Sequence, residues 1–329
     1  MASRFEDHIR SQPDELERVL TDPRTKEQVH AAAEGLHRVR RLWVVGTGSS
    51  QHAAALGAAM LQDAGRSAHS VSSMQFVRNA PIVGGGDGVI VITHSGDTAY
   101  AIAARALAFT AGLQTVTITS RGIGMNDVVQ TVDREASETA SVSYTSSLLA
   151  LGMIASAMGA DSLTPDKLAL VPGSVRNAIE TSGVEQIPAA RSFTFIGAGP
   201  AAISAAEGAL KVREAARLAA AGYDAEYFLH GAAAALGRED HILALSPPDE
   251  DGFVEAVART AEEQGIGVTR IHEPAPLPTV LAQIPLAVRL QLLAARMAAT
   301  RGTDPDAVFT GGWADPALWR IGTPEIGTY

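Results

Sequence analysis

Short apolar runs rich in β-branched residues recur along the chain, and each is followed at once by a small polar loop. Val89–Ile92 precedes the loop Thr93–Thr98, and Leu42–Val45 precedes the loop Gly46–Ser50. Runs of this kind are typical of strands buried on both faces of a parallel sheet. Further strands are predicted at Thr115–Thr119, Phe193–Ile196, His241–Leu245 and Val268–Ile271. The pattern predicts an α/β protein with doubly wound parallel sheets.

The second half of the chain repeats the first. Phe193–Ile196 is followed by Gly-Ala-Gly, just as Leu42–Val45 is followed by Gly-Thr-Gly. We therefore expect two tandem domains. The predicted boundaries are an N-terminal arm over 1–26, a first domain over 27–165, a linker helix and second domain over 166–300, and a C-terminal tail over 301–329. Within the arm, Pro13 is expected to separate two helical stretches.

The two polar loops of the first half are rich in hydroxyls. The candidate ligands are Ser49, Ser50, Thr93, Ser95 and Thr98, with Gly96 allowing a tight turn into a helix at Asp97 or Thr98. Loops at the carboxyl ends of neighbouring parallel strands converge, and helix N-termini attract anions. These loops predict an anion site. The alternative is that Asp97 and Thr98 merely cap an ordinary helix.

The sequence predicts neither a dinucleotide site in the first half nor a second anion site in the second half. The Gly46–Ser50 loop opens like GxGxxG, but Gln51 stands at the third glycine position, which disfavours nicotinamide or flavin. The loop Ser246–Glu250 contains two prolines and two acids, so only the first half is expected to hold an anion. Farther along the first half, Ser141 and Ser143 open an apolar helix, where ligand contact and helix capping are equally open.

One helix of the second half carries charge among alanines. Glu207, Lys211 and Glu214 recur at spacings of four and three, which places them on one face. A solvated ladder of ion pairs explains such spacing, and a buried catalytic face is the alternative. The helix is expected to end near Ala221–Gly222. Beyond it, His230 follows an aromatic and apolar stretch, where a structural histidine is the default interpretation.

Composition limits the classes of function. The 329 residues suit about two domains, and a formal charge of -10 without a basic run argues against nucleic acid. With no cysteine there is no disulfide, thiolate site or cysteine nucleophile. The charged N-terminus lacks the core of a signal peptide, and Leu148–Ala160 is too short to span a membrane. We expect a soluble cytoplasmic protein without a membrane partner, metal or cofactor.

The motifs resemble a known family. THSGDT resembles the phosphate loop of the sugar isomerase (SIS) domain family, and EGALKVRE followed by FLHG resembles the isomerase domain of glucosamine-6-phosphate synthases. The resemblance implies two flavodoxin-like domains, a homodimer and a sugar phosphate bound between the domains. It assigns phosphate contacts to Ser50, Thr93, His94, Ser95 and Thr98, and sugar contacts to Ser141 and Ser143. It makes Glu214 the general base, Lys211 a catalytic-helix lysine and His230 a ring-opening residue donated by the neighbouring subunit.

Departures from the family narrow the expected reaction. The sequence has no glutaminase domain, and no lysine follows Lys211, so glutamine-dependent synthesis and Schiff-base ring opening from the tail are not expected. His94 replaces the usual glutamine, so the C6 anion is a phosphate or a sulfonate. We expect an aldose–ketose isomerase that acts through an enediol. The alternatives are an amino-sugar-6-phosphate deaminase or deglycase and a non-catalytic sugar-phosphate sensor.

Overall fold

The computed structural model describes residues 3–79, 83–184, 187–247, 251–274 and 276–323. The elements of the N-terminal half are α1 (Arg4–Thr21), α2 (Pro23–His37), β1 (Arg41–Gly46), α3 (Ser49–Asp63), β2 (Ser67–Ser72), α4 (Ser73–Arg78), β3 (Asp87–Ile92), α5 (Ala99–Thr110), β4 (Gln114–Thr119), β5 (Val128–Gln130), α6 (Val142–Ala157) and α7 (Pro165–Ala169). Those of the C-terminal half are α8 (Val171–Glu180), β6 (Phe193–Gly197), α9 (Pro200–Ala216), β7 (Ala220–Asp224), α10 (Ala225–Leu229), β8 (His241–Ser246), α11 (Phe253–Glu263), β9 (Gly267–His272) and α12 (Thr279–Arg301). Short 3-10 helices lie at Ala232–Ala235, Gly311–Ala314 and Leu318–Arg320.

The strands form two parallel sheets with related topology. One sheet has the order β2-β1-β3-β4-β5, and the other has the order β7-β6-β8-β9. All of their pairings are parallel. In each sheet the second strand is added on one side of the first strand and the later strands on its other side. This reversal creates a switch point between β1 and β3 and another between β6 and β8. The prediction of two doubly wound flavodoxin-like domains is confirmed.

Each sheet belongs to a compact domain made of several chain segments. The first domain consists of Asp14–Glu135, Val142–Ala169 and Phe309–Tyr329. The second consists of Met1–Pro13, Ala136–Ser141 and Leu170–Val308. The contiguous boundaries predicted from the sequence contain no such exchange of segments. One result is that Ser141 lies in the second domain and Ser143 in the first.

Residues 4–21 of the N-terminal arm form one helix, α1. α1 runs through Pro13, so the predicted interruption is wrong. Phe5, Ile9, Leu16 and Val19 follow helical spacing and are fully buried. Burial of this apolar face outweighs the hydrogen bond that the proline removes.

The same glycine turn follows the first strand of each sheet. An added Cβ would lie 2.2 Å from the Ser50 carbonyl oxygen at Gly46 and 2.4 Å from the Ala201 carbonyl oxygen at Gly197. Only glycine permits this approach of the strand end to the first turn of the next helix. The repeat that the sequence predicts is therefore present in the backbone geometry.

The helix that carries Glu207, Lys211 and Glu214, α9, ends earlier than the sequence predicts. It stops at Ala216, with Arg217 in the left-handed conformation at φ 53°, and the expected end near Ala221–Gly222 lies inside β7. An added Cβ at Gly222 would lie 2.3 Å from the Ala205 carbonyl oxygen, so the small residues of β7 let it pack closely on α9. Although alanine favours helices, packing against α9 stabilises these residues as a strand.

α12 forms the longest apolar helix among the described residues. By length and composition it could cross a membrane, but 78% of its most apolar window is buried inside the protein. It packs against α8 and α9 within the second domain. These are the properties of a core helix.

Candidate active site

The two hydroxyl-rich loops of the first domain leave the sheet at one edge. β1 and β3 are hydrogen-bonded neighbours, and Val45 pairs with Val91 one residue before each strand ends. The loops 47–48 and 93–98 therefore lie on either side of the switch point. Ligands of open α/β sheets bind in the crevice at this position.

The hydroxyl side chains of loop 93–98 do not serve mainly to cap helix α5. Thr98 is the N-cap residue of α5, yet its side chain makes no capping hydrogen bond. The Ser95 hydroxyl lies 3.4 Å from the Thr98 hydroxyl and accepts a hydrogen bond from the Asp97 N–H at 3.3 Å. Asp97 itself is exposed and pairs with Arg134 at 3.1 Å. The N-terminus of α5 therefore retains donors and hydroxyls for a ligand.

Two buried hydroxyls at this edge have no hydrogen-bond partner among the described residues. Thr93 follows β3 directly and is 2% exposed, and Ser120 follows β4 and is fully buried. An unsatisfied buried hydroxyl costs roughly 1–3 kcal/mol, which a ligand contact can recover. Sequence reasoning missed Ser120, although its position after β4 matches that of Thr93 after β3.

Ser49 and Ser50 form the first turn of α3, where both are half-buried. The N-cap residue is Gly48, at φ 57°, and no side chain caps this helix end. The structure thus brings Ser49 and Ser50 to the same edge of the sheet as Thr93, Ser95 and Thr98.

His94 and Ser143 are both held by a residue that sequence reasoning missed. The Glu135 N–H donates to His94 Nε2 at 3.3 Å. The Glu135 carboxylate accepts from the Val142 N–H at 2.8 Å and from the Ser143 hydroxyl at 2.5 Å. The available signal was an acidic residue shortly before a hydroxyl-rich helix. Ser141, in the second domain, is buried, and its carbonyl oxygen accepts from Gln291 Nε2 at 3.3 Å.

The charged face of α9 is buried, which overturns the interpretation as a solvated ladder. Glu207 and Lys211 are each 1% exposed, and the Glu214 side chain is 19% exposed. Lys211 Nζ lies 2.5 Å from Glu214 Oε2 and 3.5 Å from Glu207 Oε1. Two carboxylates therefore share one buried ammonium.

This environment changes the basicity of Glu214. Burial raises the pKa of the Glu214 carboxyl above its usual value of 4.5, and the negative charge of Glu207 adds to the rise. Lys211 opposes it through its charge and hydrogen bond. A carboxylate with a raised pKa is a better proton acceptor near neutral pH.

His230 lies on the surface of the second domain. It ends the short helix α10, its side chain is 71% exposed, and its Nε2 is 2.8 Å from Glu226 Oε1. The sequence made a satisfied structural histidine the default interpretation, and His230 does have a partner in Glu226, but it lies at the surface and not in the core. Its neighbours Tyr227 and Leu229 are 64% and 52% exposed. Apolar and aromatic residues around a histidine usually indicate a buried position, but within a single chain this stretch is exposed to solvent.

The turn that begins the tail contacts α9 within the second domain. Gly302, at φ 67°, ends α12. The hydroxyl of Thr303 then donates to the Ala215 carbonyl oxygen at 2.8 Å, one residue beyond Glu214. Of the acidic loop expected after β8, residues 248–250 lie outside the described part of the chain.

Comparison with known proteins identifies the family of the chain. The SIS domain model matches residues 35–157 and 186–271, which is more than half of the chain. The glutamine–fructose-6-phosphate aminotransferase (isomerizing) of Methanothermobacter thermautotrophicus is 28% identical over 326 residues, covering 91% of this chain and 55% of that protein. The chain thus spans about half the length of the curated relatives it matches.

Solved structures show the same fold. The tagatose-6-phosphate ketose/aldose isomerase of Escherichia coli superposes with a TM-score of 0.81 at 18% identity, covering 95% of this chain and 97% of that chain. The glucosamine-6-phosphate deaminase of Thermotoga maritima superposes with a TM-score of 0.76 at 18% identity, covering 93% and 97%. Because the SIS domain model matches two stretches of the chain and each half forms a switch-point sheet, the chain belongs to the SIS domain family.

Proposed function

We propose that the chain is an aldose–ketose isomerase that acts on a hexose bearing a phosphate or sulfonate at C6. The observation that carries this proposal is the buried carboxylate of Glu214, whose pKa is raised and which is held by Lys211 at 2.5 Å. Isomerisation moves one proton between C1 and C2 through an enediol. That transfer needs a single base whose pKa lies near the working pH.

Glu214 is the proposed base. It removes the C2 proton of the open-chain aldose and returns it to C1, while the hydroxyl proton moves between the two oxygens. Lys211 supports the reaction in two ways. Its charge keeps part of the Glu214 population ionised, and an ammonium group can stabilise the negative charge that develops on the enediolate.

The C6 anion is proposed to bind at the switch point of the first domain. The contributing groups are the hydroxyls of Ser49, Ser50, Thr93, Ser95 and Thr98, the imidazole of His94 and the N-terminal N–H groups of α5. The uncapped helix ends and the unsatisfied Thr93 hydroxyl support this assignment. A sulfonate, like a phosphate, presents three oxygens to such donors. Ser141 and Ser143 are proposed to contact the sugar.

His230 is proposed to open the sugar ring by proton exchange at the ring oxygen, in the active site of a second copy of the chain. Its exposure and the exposed Tyr227 and Leu229 beside it support a role at an interface. The proposed assembly is a homodimer in which each His230 serves the partner's substrate.

An amino-sugar-6-phosphate deaminase or deglycase is the second candidate. The same base and anion loops serve that reaction, in which an amine leaves during isomerisation. The structural likeness to the Thermotoga maritima deaminase supports keeping it.

A substrate screen separates the two functions. C6-phosphorylated and C6-sulfonated aldoses, ketoses and amino sugars are incubated with the protein, and product sugar and released ammonia are measured in the same samples. An isomerase gives a new sugar without ammonia, and a deaminase releases ammonia from amino sugars only. Turnover of none of these compounds would contradict both candidates and favour a sensor.

A further inference from the structure

The loop between β5 and α6 carries a carboxylate that the proposed reaction leaves without a role. Glu135 is half-buried, and three of its hydrogen bonds involve His94, Val142 and Ser143. One runs from its backbone to His94, and two run from its carboxylate to Val142 and Ser143. All four residues belong to the first domain.

The first contact determines which nitrogen of neutral His94 carries the proton. A backbone N–H can only donate, so the Nε2 that it faces at 3.3 Å must be the unprotonated nitrogen. Neutral His94 is thereby the Nδ1–H tautomer. Its ring then has one N–H donor, at Nδ1, on the loop that also carries Ser95 and Thr98.

The second contact determines the direction of hydrogen bonding at Ser143. A hydroxyl has one proton and two lone pairs, and a carboxylate can only accept. The Ser143 proton therefore points to Glu135 Oε2 at 2.5 Å. Toward any further group, the Ser143 oxygen can only accept.

We propose that Glu135 is a positioning residue that sets the hydrogen-bond polarity of the substrate subsite. It holds His94 as a donor through Nδ1 and Ser143 as an acceptor. This inference rests on the proposed function, which assigns both side chains to the substrate. The substrate group that faces Ser143 is then a donor, such as a hydroxyl, and an analogue without that donor is rejected.

Glu135→Gln tests this polarity while keeping the helix cap. The amide oxygen can still accept from the Val142 N–H, but the amide nitrogen donates to the Ser143 oxygen and releases the Ser143 proton toward the ligand. Asp133→Asn is the matched control. Asp133 lies in the same loop, is exposed, and makes no hydrogen bond or ion pair within the described ranges.

The His94 half of the proposal is tested without any ligand. Nitrogen NMR of the full chain labelled with 15N-histidine distinguishes the two tautomers, and the signals missing from His94→Gln identify His94. The expected result is the Nδ1–H tautomer in the wild type above the titration of the ring. An Nε2–H tautomer would overturn the proposed contact.

The Ser143 half is tested with glucose 6-phosphate and its 3-deoxy-3-fluoro and 4-deoxy-4-fluoro analogues. A fluorine accepts but cannot donate. The wild type and Asp133→Asn are expected to bind at least one analogue about tenfold more weakly than the parent sugar, as loss of one hydrogen bond predicts. Glu135→Gln is expected to reduce that ratio to about threefold or less. An unchanged ratio with intact binding would overturn the role of Glu135 alone, whereas no binding of any C6-phosphorylated sugar by the wild type would overturn the proposed function.

Discussion

At the scale of single residues, burial decides what the charged spacing of α9 means. The sequence places Glu207, Lys211 and Glu214 on one face, but spacing is the same for a solvated ladder and a buried triad. The structure buries the face, and with it the Lys211 ammonium at 1% exposure. Sequence alone could predict which residues share the face. It could not predict their burial, because that depends on which elements pack against α9.

Glu214→Gln is expected to leave the stability of the fold unchanged or higher, although it removes the proposed base. Because the folded-state pKa of Glu214 is raised, ionising it costs folding free energy as the pH rises through its ordinary value of 4.5 and beyond. Glutamine never ionises and so avoids that cost. The Tm of Glu214→Gln at neutral pH is expected to equal or exceed that of the wild type, with the difference shrinking below pH 4.5, in calorimetry across pH. A lower Tm at neutral pH only would mean that ionised Glu214 stabilises the fold.

Ser95→Ala is expected to weaken binding of the anionic sugar. Loss of one charge-assisted hydrogen bond of about 1.5–3 kcal/mol raises the Kd roughly 10-fold to 150-fold. Calorimetric titration measures it, with Ser67→Ala, an exposed serine of β2, as the control. Equal affinity in Ser95→Ala and the control would remove Ser95 from the anion site.

At the scale of elements, the strand-loop-helix units were predictable and their exact ends were not. The apolar runs locate β1, β3, β6 and β8, because strands buried on both faces contain few polar residues. β-branched residues locate β4, which is rich in threonine, and β9, which is more exposed. The alanines at the start of β7 predict a continuation of α9 to about Ala221–Gly222, since alanine carries no strand signal. Pro13 predicts a break in α1, because helix propensity does not include the stabilisation that the fold gains by burying the apolar face of this helix.

Gly46→Ala tests the turn that places Ser49 and Ser50. The added Cβ would meet the Ser50 carbonyl oxygen at 2.2 Å, which forces the strand end away from α3. We expect a loss of about 2 kcal/mol or more in the free energy of unfolding, together with weaker anion binding. Urea titration measures the former. Gly124→Ala, with no atom within 4 Å of the added Cβ, is the control, and an equal effect of the two variants would contradict the account of the turn.

At the scale of the whole molecule, the duplication was predictable and the exchange of segments was not. The repeated Gly-x-Gly turns reveal two domains from sequence, and both turns have the same geometry. The assignment of Met1–Pro13 to the second domain and of Phe309–Tyr329 to the first depends on long-range packing. No local pattern in either terminal segment encodes it.

Complementation tests the proposed sharing of active sites between subunits. Mixing inactive Glu214→Gln with inactive His230→Ala under conditions of subunit exchange should restore activity. Random pairing makes half of the dimers mixed, each with one intact site of two, so recovery should approach about a quarter of the wild-type rate. Absence of recovery despite demonstrated exchange would place Glu214 and His230 in the same subunit's site.

Exchange of the C2 hydrogen of the substrate tests whether Glu214 is the base. A C2-deuterated aldose identified by the substrate screen is incubated in ordinary water, and proton NMR follows the appearance of hydrogen at C2 and C1. The wild type should exchange the deuterium, while Glu214→Gln should bind the sugar and nearly abolish exchange, because glutamine cannot accept the proton. Exchange by Glu214→Gln at the wild-type rate would contradict the assignment of Glu214 as the base.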